Sequence, residues 1–478
     1  MRSAYEAEAV RAAERELMAR LPEGTLMGRA AAGLAAAAAE LLTRVYGARV
    51  VLLVGSGDNG GDALFAGARL ARRGAGVAAV LLAPERAHPG GLTALRRAGG
   101  RVVRGPEGGA AEIARADLVL DGVTGIGGRG GLRPEAAGLA RAARESGAVL
   151  LAVDLPSGVD ADTGEVPGEA FRADATVTFG TYKPGLLVDP GREHAGAVRL
   201  VEIGLDLPEA PAVQALQYAD VRTLLPAPSA ESDKYRRGVV GVVAGSARYP
   251  GAAVLAVAGA LHGGAGAVRY VGPAAEAVLA RFPETLVSAG PPAKAGRVQS
   301  WVVGPGIGEN AEAVAEILAA DVPVLVDADG LRHADAAAVR ARTAPTVLTP
   351  HAGEAAALLG TGRAEVESAR LASVRALADR FGATALLKGS TTLVAGPGGG
   401  PVRVNPTGTP WLATAGSGDV LSGLAGSLLA AGLDGLDAAS VGAYLHGLAG
   451  RFAADGAPAH AFQVAEALGA AWRDVREE

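Results

Sequence analysis

The chain contains no cysteine. Disulfide bridges, zinc–thiolate centres and cysteine nucleophiles are therefore excluded, and the absence fits a reducing cytosol. An excess of positive charge is missing too: 45 Lys and Arg stand against 50 Asp and Glu, for a formal net charge of -5. Binding nucleic acid through a general basic field requires clustered Lys and Arg, so no nucleic-acid partner is expected. Long hydrophobic runs are also lacking. The most apolar early run, Ala30 to Leu42, contains Glu40 and falls short of the ~20 residues of a membrane span, which predicts a buried, alanine-rich helix and no membrane partner. The opening MRSAYEAEAVRAAEREL has several glutamates and no apolar h-region, so it does not read as a signal peptide and a cytoplasmic chain is expected. The 70 glycines follow no collagen-like period, and no short repeat indicates a solenoid.

What is present is ample core material, with 49% hydrophobic and 20% charged residues over 478 positions. At about 150 residues per domain the length predicts two or three domains, and two is the working number. Short β-branched runs alternate with Ala/Leu/Arg stretches of helical period, the pattern of a parallel sheet covered on both faces. Strands are expected at 49–54, 77–82, 117–121, 149–153 and 175–179. A polar, proline-bearing stretch from Leu205 to Pro228 interrupts the alternation and is the best linker candidate, with a boundary near 213 that gives domains 1–212 and 213–478. The alternation then restarts, with strands expected near 239–244, 300–303, 323–327, 346–349 and 384–388. Both halves read as α/β domains.

In the first half, RVVLLVGSGDNGGDA runs from an apolar strand through Gly55, Gly57 and Gly60 into a helix. Alone this GxGxxG match is weak. Its physical meaning is that bare backbone can approach a pyrophosphate, with the helix N-terminus supplying N–H donors. Asp58 and Asp62 in the same loop would repel phosphate unless a cation or hydrogen bonds offset them, so something beyond plain cofactor docking is indicated. DLVLDGVTGIGGRGG places Asp121 at a second strand end, and AVLLAVDLPSGVDADTG places Asp154 at a third, followed by Ser157. Either aspartate alone is ordinarily a turn or helix cap. Ligands of open α/β sheets sit at the carboxyl ends of strands, so three such loops instead predict one shared crevice.

Taken in order, LMGRAAAGLAA, GSGDNGGD, DGVTGIGGRGG and VDLPSGVDADTG closely resemble the NAD(P)H-hydrate epimerase domain over roughly residues 10–210. The resemblance implies a Rossmann-like, doubly wound fold. It also implies a potassium ion held by Asn59, Asp121 and Ser157, an all-oxygen set suited to a hard cation. Substrate contacts are implied at Asp58, Asn59, Gly60, Gly61 and Asp62, at Gly125, Ile126, Gly127, Gly128, Arg129, Gly130 and Gly131, and at Asp154, with Asp154 as the acid/base residue at the hydrated ring. The chain departs from the family at Asp58, usually asparagine, and at Ala63, commonly glycine. The same fold also occurs as a non-catalytic interaction module.

The strongest local signal is NPTGTPWLATAGSGDVLSGLAGSLLAAG. Small residues through Gly416, Ser417 and Gly418 clear a helix N-terminus for a transferring phosphoryl group, and Asp419 stands ready to take a proton from an attacking hydroxyl. The ordinary alternative for a lone aspartate there is a helix-dipole carboxylate. ATALLKGSTTLVA ends a strand at Lys388 and Gly389, where a lysine either reaches nucleotide phosphates or is merely solvated. VLTPHAGE presents His351 and Glu354, WVVGPGIGEN and LVDADGL add two glycine-bearing strand ends, and RYPGAAV offers Ala252 and Ala253 as small neighbours for a flat ring.

GVVAGSARYPGAA, GPGIG, DADGL, LTPHAGE, KGS and NPTGTPWLATAGSGD together resemble the ribokinase-like NAD(P)H-hydrate dehydratases over roughly residues 218–475. With the epimerase-like half in front, the chain is similar to the bifunctional NAD(P)H-hydrate repair enzymes. The resemblance implies substrate contacts at Ala253, Gly306 and His351, and Asp419 as the base that deprotonates the hydrate hydroxyl. Nucleotide contacts are implied at Lys388, Gly389, Ser390, Thr391, Thr392 and Gly418, with ADP favoured over ATP as donor and a homo-oligomeric assembly through the second domain, and magnesium is expected from the phosphoryl chemistry. Trp411 stands where the family carries smaller residues, either walling the nucleotide pocket or filling a core gap. The rival reading is a ribokinase-like kinase of a vitamin precursor with a non-catalytic N-terminal module. A front domain with its own three-loop carboxylate site is what separates the two.

Overall fold

The computed structural model describes residues 1–477. The chain divides into two compact units, Ser3–Val213 and Gln214 onward together with Met1 and Arg2.

The first unit is built on a seven-stranded, wholly parallel sheet. Its strands lie in the order 101–103, 76–81, 49–54, 118–122, 149–153, 175–179 and 197–201. That order runs outward in both directions from Arg49–Val54 and Leu118–Gly122, which makes the gap between their carboxyl ends the topological switch point. The central strands are apolar on both faces, because helices cover both sides: Val50, Leu52 and Val54 pack with Leu34, Leu64 and Leu70, while Val51 and Leu53 pack with Ile113 and Leu139. The early apolar run lies in the helix Thr25–Leu41, which buries only one face, Ala30, Ala31, Leu34, Ala35, Ala37 and Ala38.

In the second unit ten strands lie in the order 213–215, 402–405, 392–395, 384–387, 346–348, 324–326, 300–303, 239–243, 267–271 and 286–288. Strands 384–387 through 286–288 are mutually parallel, whereas 392–395 and 402–405 add an antiparallel margin. The helix Ser417–Ala430 is buried along nearly its whole length, and Gly423 lets it approach Pro250–His262 so closely that a Cβ there would lie 2.0 Å from the Ala256 carbonyl oxygen.

Ten expected strands lie within a residue of observed ones; those missed include 101–103, 197–201, 286–288, 392–395 and 402–405, short or near a sheet margin, and also the interior strand 267–271. The Leu205–Pro228 stretch, read as linker, is not structureless. It contains the strand Val213–Ala215 and the helix Tyr218–Leu224, started by a reciprocal cap between Gln217 and Asp220. Among the described residues no helix is long and apolar enough to cross a membrane.

Candidate active sites

The glycine loop 55–57 follows Arg49–Val54 and leads into the helix Asp58–Arg72, which starts at the switch point. Gly55 is required by close approach, since a Cβ would lie 1.9 Å from the Val123 carbonyl oxygen. At the end of the neighbouring strand Asp121 is fully buried; its carboxylate accepts from Ser157 Oγ at 2.6 Å, Ser157 N at 2.8 Å and Val123 N at 3.2 Å. Burial pushes its carboxyl up to about 6 in spite of these bonds. Ser157 in turn receives the Thr124 N–H on its Oγ at 2.9 Å, tying the Asp154 loop to the Asp121 loop. Asn59 lies over the same turn: a Cβ on Gly125 would be 3.2 Å from its Oδ1, and its Nδ2 is buried without a hydrogen-bond partner. Ala63, the departure from the family pattern, packs on Gly122, where the missing side chain leaves room for its methyl.

Between these loops lies a cavity of about 510 Å³, lined among others by Asp58, Asn59, Asp62, Asp154 and Gly125 to Gly128. Arg129, Gly130 and Gly131 are not among its lining residues, and Gly131 packs instead on the Gly168 backbone. Gly60 and Gly61 are buried, their Cα faces turned toward Gly55 and toward Met27 and His88. An adjoining cavity of about 740 Å³ shares Glu14, Met18, Asp58, Asp62 and Phe179 with the first. Asp62 is buried, with Oδ1 unpartnered; burial first, then the charges of Asp154, Asp58 and Glu14, hold its carboxyl well above the usual range.

Asp154 adopts φ +64, a region L-residues seldom occupy. Its Oδ1 accepts from Lys183 Nζ at 2.5 Å, Thr178 Oγ1 at 3.0 Å and Phe179 N at 3.2 Å. Neither Lys183 nor Thr178 was found from the sequence. One signal was there: the chain has four lysines against 41 arginines, and two of them, Lys183 and Lys388, come just after apolar strands.

In the second unit the carboxyl ends of five parallel strands bring together Gly245, Gly304 to Gly306, Asp327, His351 to Glu354 and Lys388. Asp327 was missed by sequence reasoning although DADGL was noted. It is 1% exposed, accepts from Lys388 Nζ at 2.7 Å on one oxygen and from Ser422 Oγ at 2.7 Å on the other. Lys388 is thus not a solvated strand-end lysine. Burial alone would lower its ammonium, but Asp327, Glu354 and Asp419 outweigh that and raise it.

Asp419 sits in the first turn of Ser417–Ala430, half-buried, its carboxyl pushed up to about 7 by burial and by the charge of Asp327, with Lys388 opposing. Gly418 leaves the space beside Lys388 open, since a Cβ there would stand 3.5 Å from Nζ. The preceding loop is pinned: Asn405 Nδ2 donates to the Ala443 carbonyl at 2.8 Å and Thr407 Oγ1 to that of Tyr444 at 2.9 Å. His446, buried beneath it, is kept neutral by a ring pushed down to about 4. Arg370, also missed, reaches the carbonyls of Leu387, Lys388 and Thr391 from below and braces the loop Lys388 to Thr392.

Three expected contacts look different in three dimensions. Ala253 is fully buried against Gly245, so it is the half-buried Ala252 whose Cβ faces Gly306. His351 is the N-cap of Ala352–Leu359, its Nδ1 accepting from the Gly353 and Glu354 amides while Glu354 returns a bond to His351 N. Trp411 is 43% exposed, which removes the core-gap role.

Comparison with known proteins bears on both sites. Residues 23–185 match the family model described as YjeF-related protein N-terminus, and residues 240–468 match that of NAD(P)H-hydrate dehydratase. The chain is 52% identical over 466 residues to the bifunctional NAD(P)H-hydrate repair enzyme of Mycobacterium leprae, covering 95% of this chain and 94% of that one. It is 50% identical to the enzyme of the same description from Mycobacterium tuberculosis, covering 92% of each. Among solved structures, the ADP/ATP-dependent NAD(P)H-hydrate dehydratase of Bacillus subtilis, co-crystallised with ATP and Mg2+, aligns with TM-score 0.51 and 30% identity over 55% of this chain and 99% of that one. A ribokinase-like superfamily protein of Enterococcus faecalis, 21% identical over 57% of this chain and all of that one with TM-score 0.50, shares the fold.

Proposed function

The chain belongs to the bifunctional NAD(P)H-hydrate repair enzymes, and from that premise we propose how its own residues divide the two reactions. The first unit is the epimerase and the second the nucleotide-dependent dehydratase. This pairing displaces the vitamin-kinase alternative, which gives the first unit no chemistry.

In the dehydratase, Asp419 takes the proton of the hydrate hydroxyl as that oxygen attacks the terminal phosphorus of the nucleotide. The P–O bond to the rest of the nucleotide breaks, AMP leaving when ADP is the donor, and the new C–O–P linkage turns a hydroxide into a phosphate leaving group. Phosphate then departs with the C–O electron pair, and loss of the neighbouring C–H proton restores the ring double bond. Lys388 and the amides at the start of Ser417–Ala430 receive the phosphate charge, while Gly418, Gly389, Ser390, Thr391 and Thr392 shape the nucleotide subsite. Gly306, Ala252 with Ala253 behind it, and His351 border the substrate. The observation that carries this reading is Asp419: a half-buried carboxyl at about 7, beside an ammonium, on a helix N-terminus. Among the described residues no three His, Cys, Asp or Glu side chains form a ready metal site, which fits magnesium arriving with the nucleotide, where it neutralises phosphate charge. ADP is the donor we propose.

In the epimerase, Asp154 is the acid/base group, and Asp58, Asn59, Asp62 and Gly125 to Gly128 border the ring and its phosphates. Asn59, Asp121 and Ser157 fit a potassium ion: they offer hard oxygens around one turn, and the buried amide of Asn59 has an unpaired nitrogen, so protein bonds do not fix its orientation. Bound there, potassium would offset the carboxylate charge beside a phosphate-binding loop. A homo-oligomer formed through the second unit, in the cytoplasm, completes the proposal, and light scattering tests the assembly.

The deciding experiment follows absorbance of the reduced nicotinamide while the protein acts on mixed R and S NADH hydrate with ADP, magnesium and potassium. Wild type recovers all of the cofactor, Asp419→Ala none, and Asp154→Ala recovers the R half only at the rate of spontaneous epimerisation. No recovery by wild type with ADP or ATP would refute the repair reading.

A further inference from the structure

The first unit has one lysine, and it is buried. Lys183 follows the strand Ala175–Phe179 and is 1% exposed, yet all three of its ammonium protons have acceptors: Asp154 Oδ1 at 2.5 Å, Thr178 Oγ1 at 2.9 Å and the Phe179 carbonyl at 3.0 Å. A lysine in such a place is costly to desolvate and is retained only with full pairing. The same Oδ1 also takes the Thr178 hydroxyl and the Phe179 amide, so one carboxylate oxygen has three donors while, among the described residues, no hydrogen bond falls on Oδ2. Asp154 lines the crevice, and its backbone is held at φ +64, a conformation that persists only when the surroundings over-determine it.

The setting makes the pairing selective. Glu14, Asp58, Asp62 and Asp154 all face the crevice; the cations beside them are Lys183, in contact with Asp154, and on the crevice wall Arg11 and Arg15, the latter paired with Glu8. Burial and Asp154's negative charge push the Glu14 carboxyl up, and Asp62 rises further, with Lys183 opposing both. One carboxyl of four is therefore tied to an ammonium, and neighbours whose environments differ in this way take different proton-transfer roles.

We infer that Lys183 is a positioning residue of the epimerase site: with Thr178 and the Phe179 amide it clamps Oδ1 of Asp154, so that Oδ2 alone is presented to the hydrated ring. The inference rests on the reading of Asp154 as the acid/base group.

The test uses the full-length protein and the conversion of isolated R hydrate to S, followed by chromatography of the epimers. Lys183→Met lowers epimerase kcat about 100-fold or more and leaves KM within about threefold. Dehydratase activity of the same chain stays at wild type. Because the chain has no cysteine, Lys183→Cys carries a single thiol. Alkylation with 2-bromoethylamine restores an ammonium there, whereas iodoacetamide leaves a neutral adduct of similar length. The aminoethyl form regains at least about a tenth of wild-type kcat and the neutral form does not. Equal rates for the two adducts, or wild-type kcat in a folded Lys183→Met protein, would overturn the inference while the epimerase reading stands. Failure of wild type to outpace spontaneous epimerisation would overturn that reading, and the role of Lys183 with it.

Discussion

Lys388 and Asp327 form the buried ion pair on which the second site is built, Nζ to Oδ1 at 2.7 Å, with Asp327 1% and the Lys388 side chain 20% exposed. The pair joins the ends of strands Val324–Val326 and Thr384–Leu387, and through Ser422 it is fixed to the helix that carries Asp419.

Breaking this pair from one side strands a charge. Lys388→Met leaves the Asp327 carboxylate buried without its cation and should lower the stability of the second unit by about 3–5 kcal/mol. Urea unfolding measures the loss. The double change Lys388→Met with Asp327→Asn should recover much of it, and additive losses would show that the two side chains are not coupled.

The pH dependence of dehydration follows from Asp419. The base is the ionised carboxyl, and its folded-state value is raised to about 7, so the active fraction grows as pH rises through 7. kcat/KM for the hydrate should climb with unit slope below pH 7 and level off above it. Lys388 lowers the Asp419 value, so Lys388→Met should move the acidic limb to higher pH; a limb left in place would sever the link between the two residues.

Gly418→Ala separates folding from binding. The added methyl would meet Lys388 Nζ at 3.5 Å and Asp327 at 3.9 Å, ordinary contact distances, and replaces a helical glycine whose φ is not positive. Thermal stability should hold or rise by about 0.5–1 kcal/mol. The same methyl occupies the approach to Lys388, so calorimetry should show nucleotide affinity falling about 10-fold or more, as expected when a filled group blocks a charge contact. Unchanged affinity would move the phosphate subsite elsewhere.

Potassium is tested through the residues proposed to hold it. Replacing potassium by choline should slow epimerisation, and Ser157→Ala or Asp121→Asn should reduce both the rate and its potassium dependence, by about 10-fold or more. Dehydration of pure S hydrate by the same proteins should be unaffected. An epimerase rate indifferent to the cation would dismiss the site.

Much of the fold was legible because the central strands of both sheets are parallel and buried on both faces, so they are continuous apolar runs. Val50 to Val54 and Leu150 to Val153 announce themselves in this way. The strands at 101–103 and 286–288 did not, because three half-exposed residues at a sheet edge carry little pattern. The glycine loops were equally readable, since Gly55, Gly418 and their neighbours mark places where backbone must come close. Side chains that act through a partner were not. Lys183 lies 29 residues from Asp154, Asp327 lies 61 from Lys388, and Arg370 braces a loop it does not adjoin in sequence.

By itself the sequence determined the alternation of strand and helix, the two-domain plan, the family, and the position of Asp419 at a helix N-terminus, because each of these is written in local spacing and small-residue motifs. Only the tertiary structure decided which carboxyls are paired and which are stranded: Asp154 against Lys183, Asp327 against Lys388, Asp62 with no partner on Oδ1, and Asp419 lifted to about 7. Charge state depends on distance and burial through space, and both are set by strands that neighbour one another in the sheet while lying far apart in the chain.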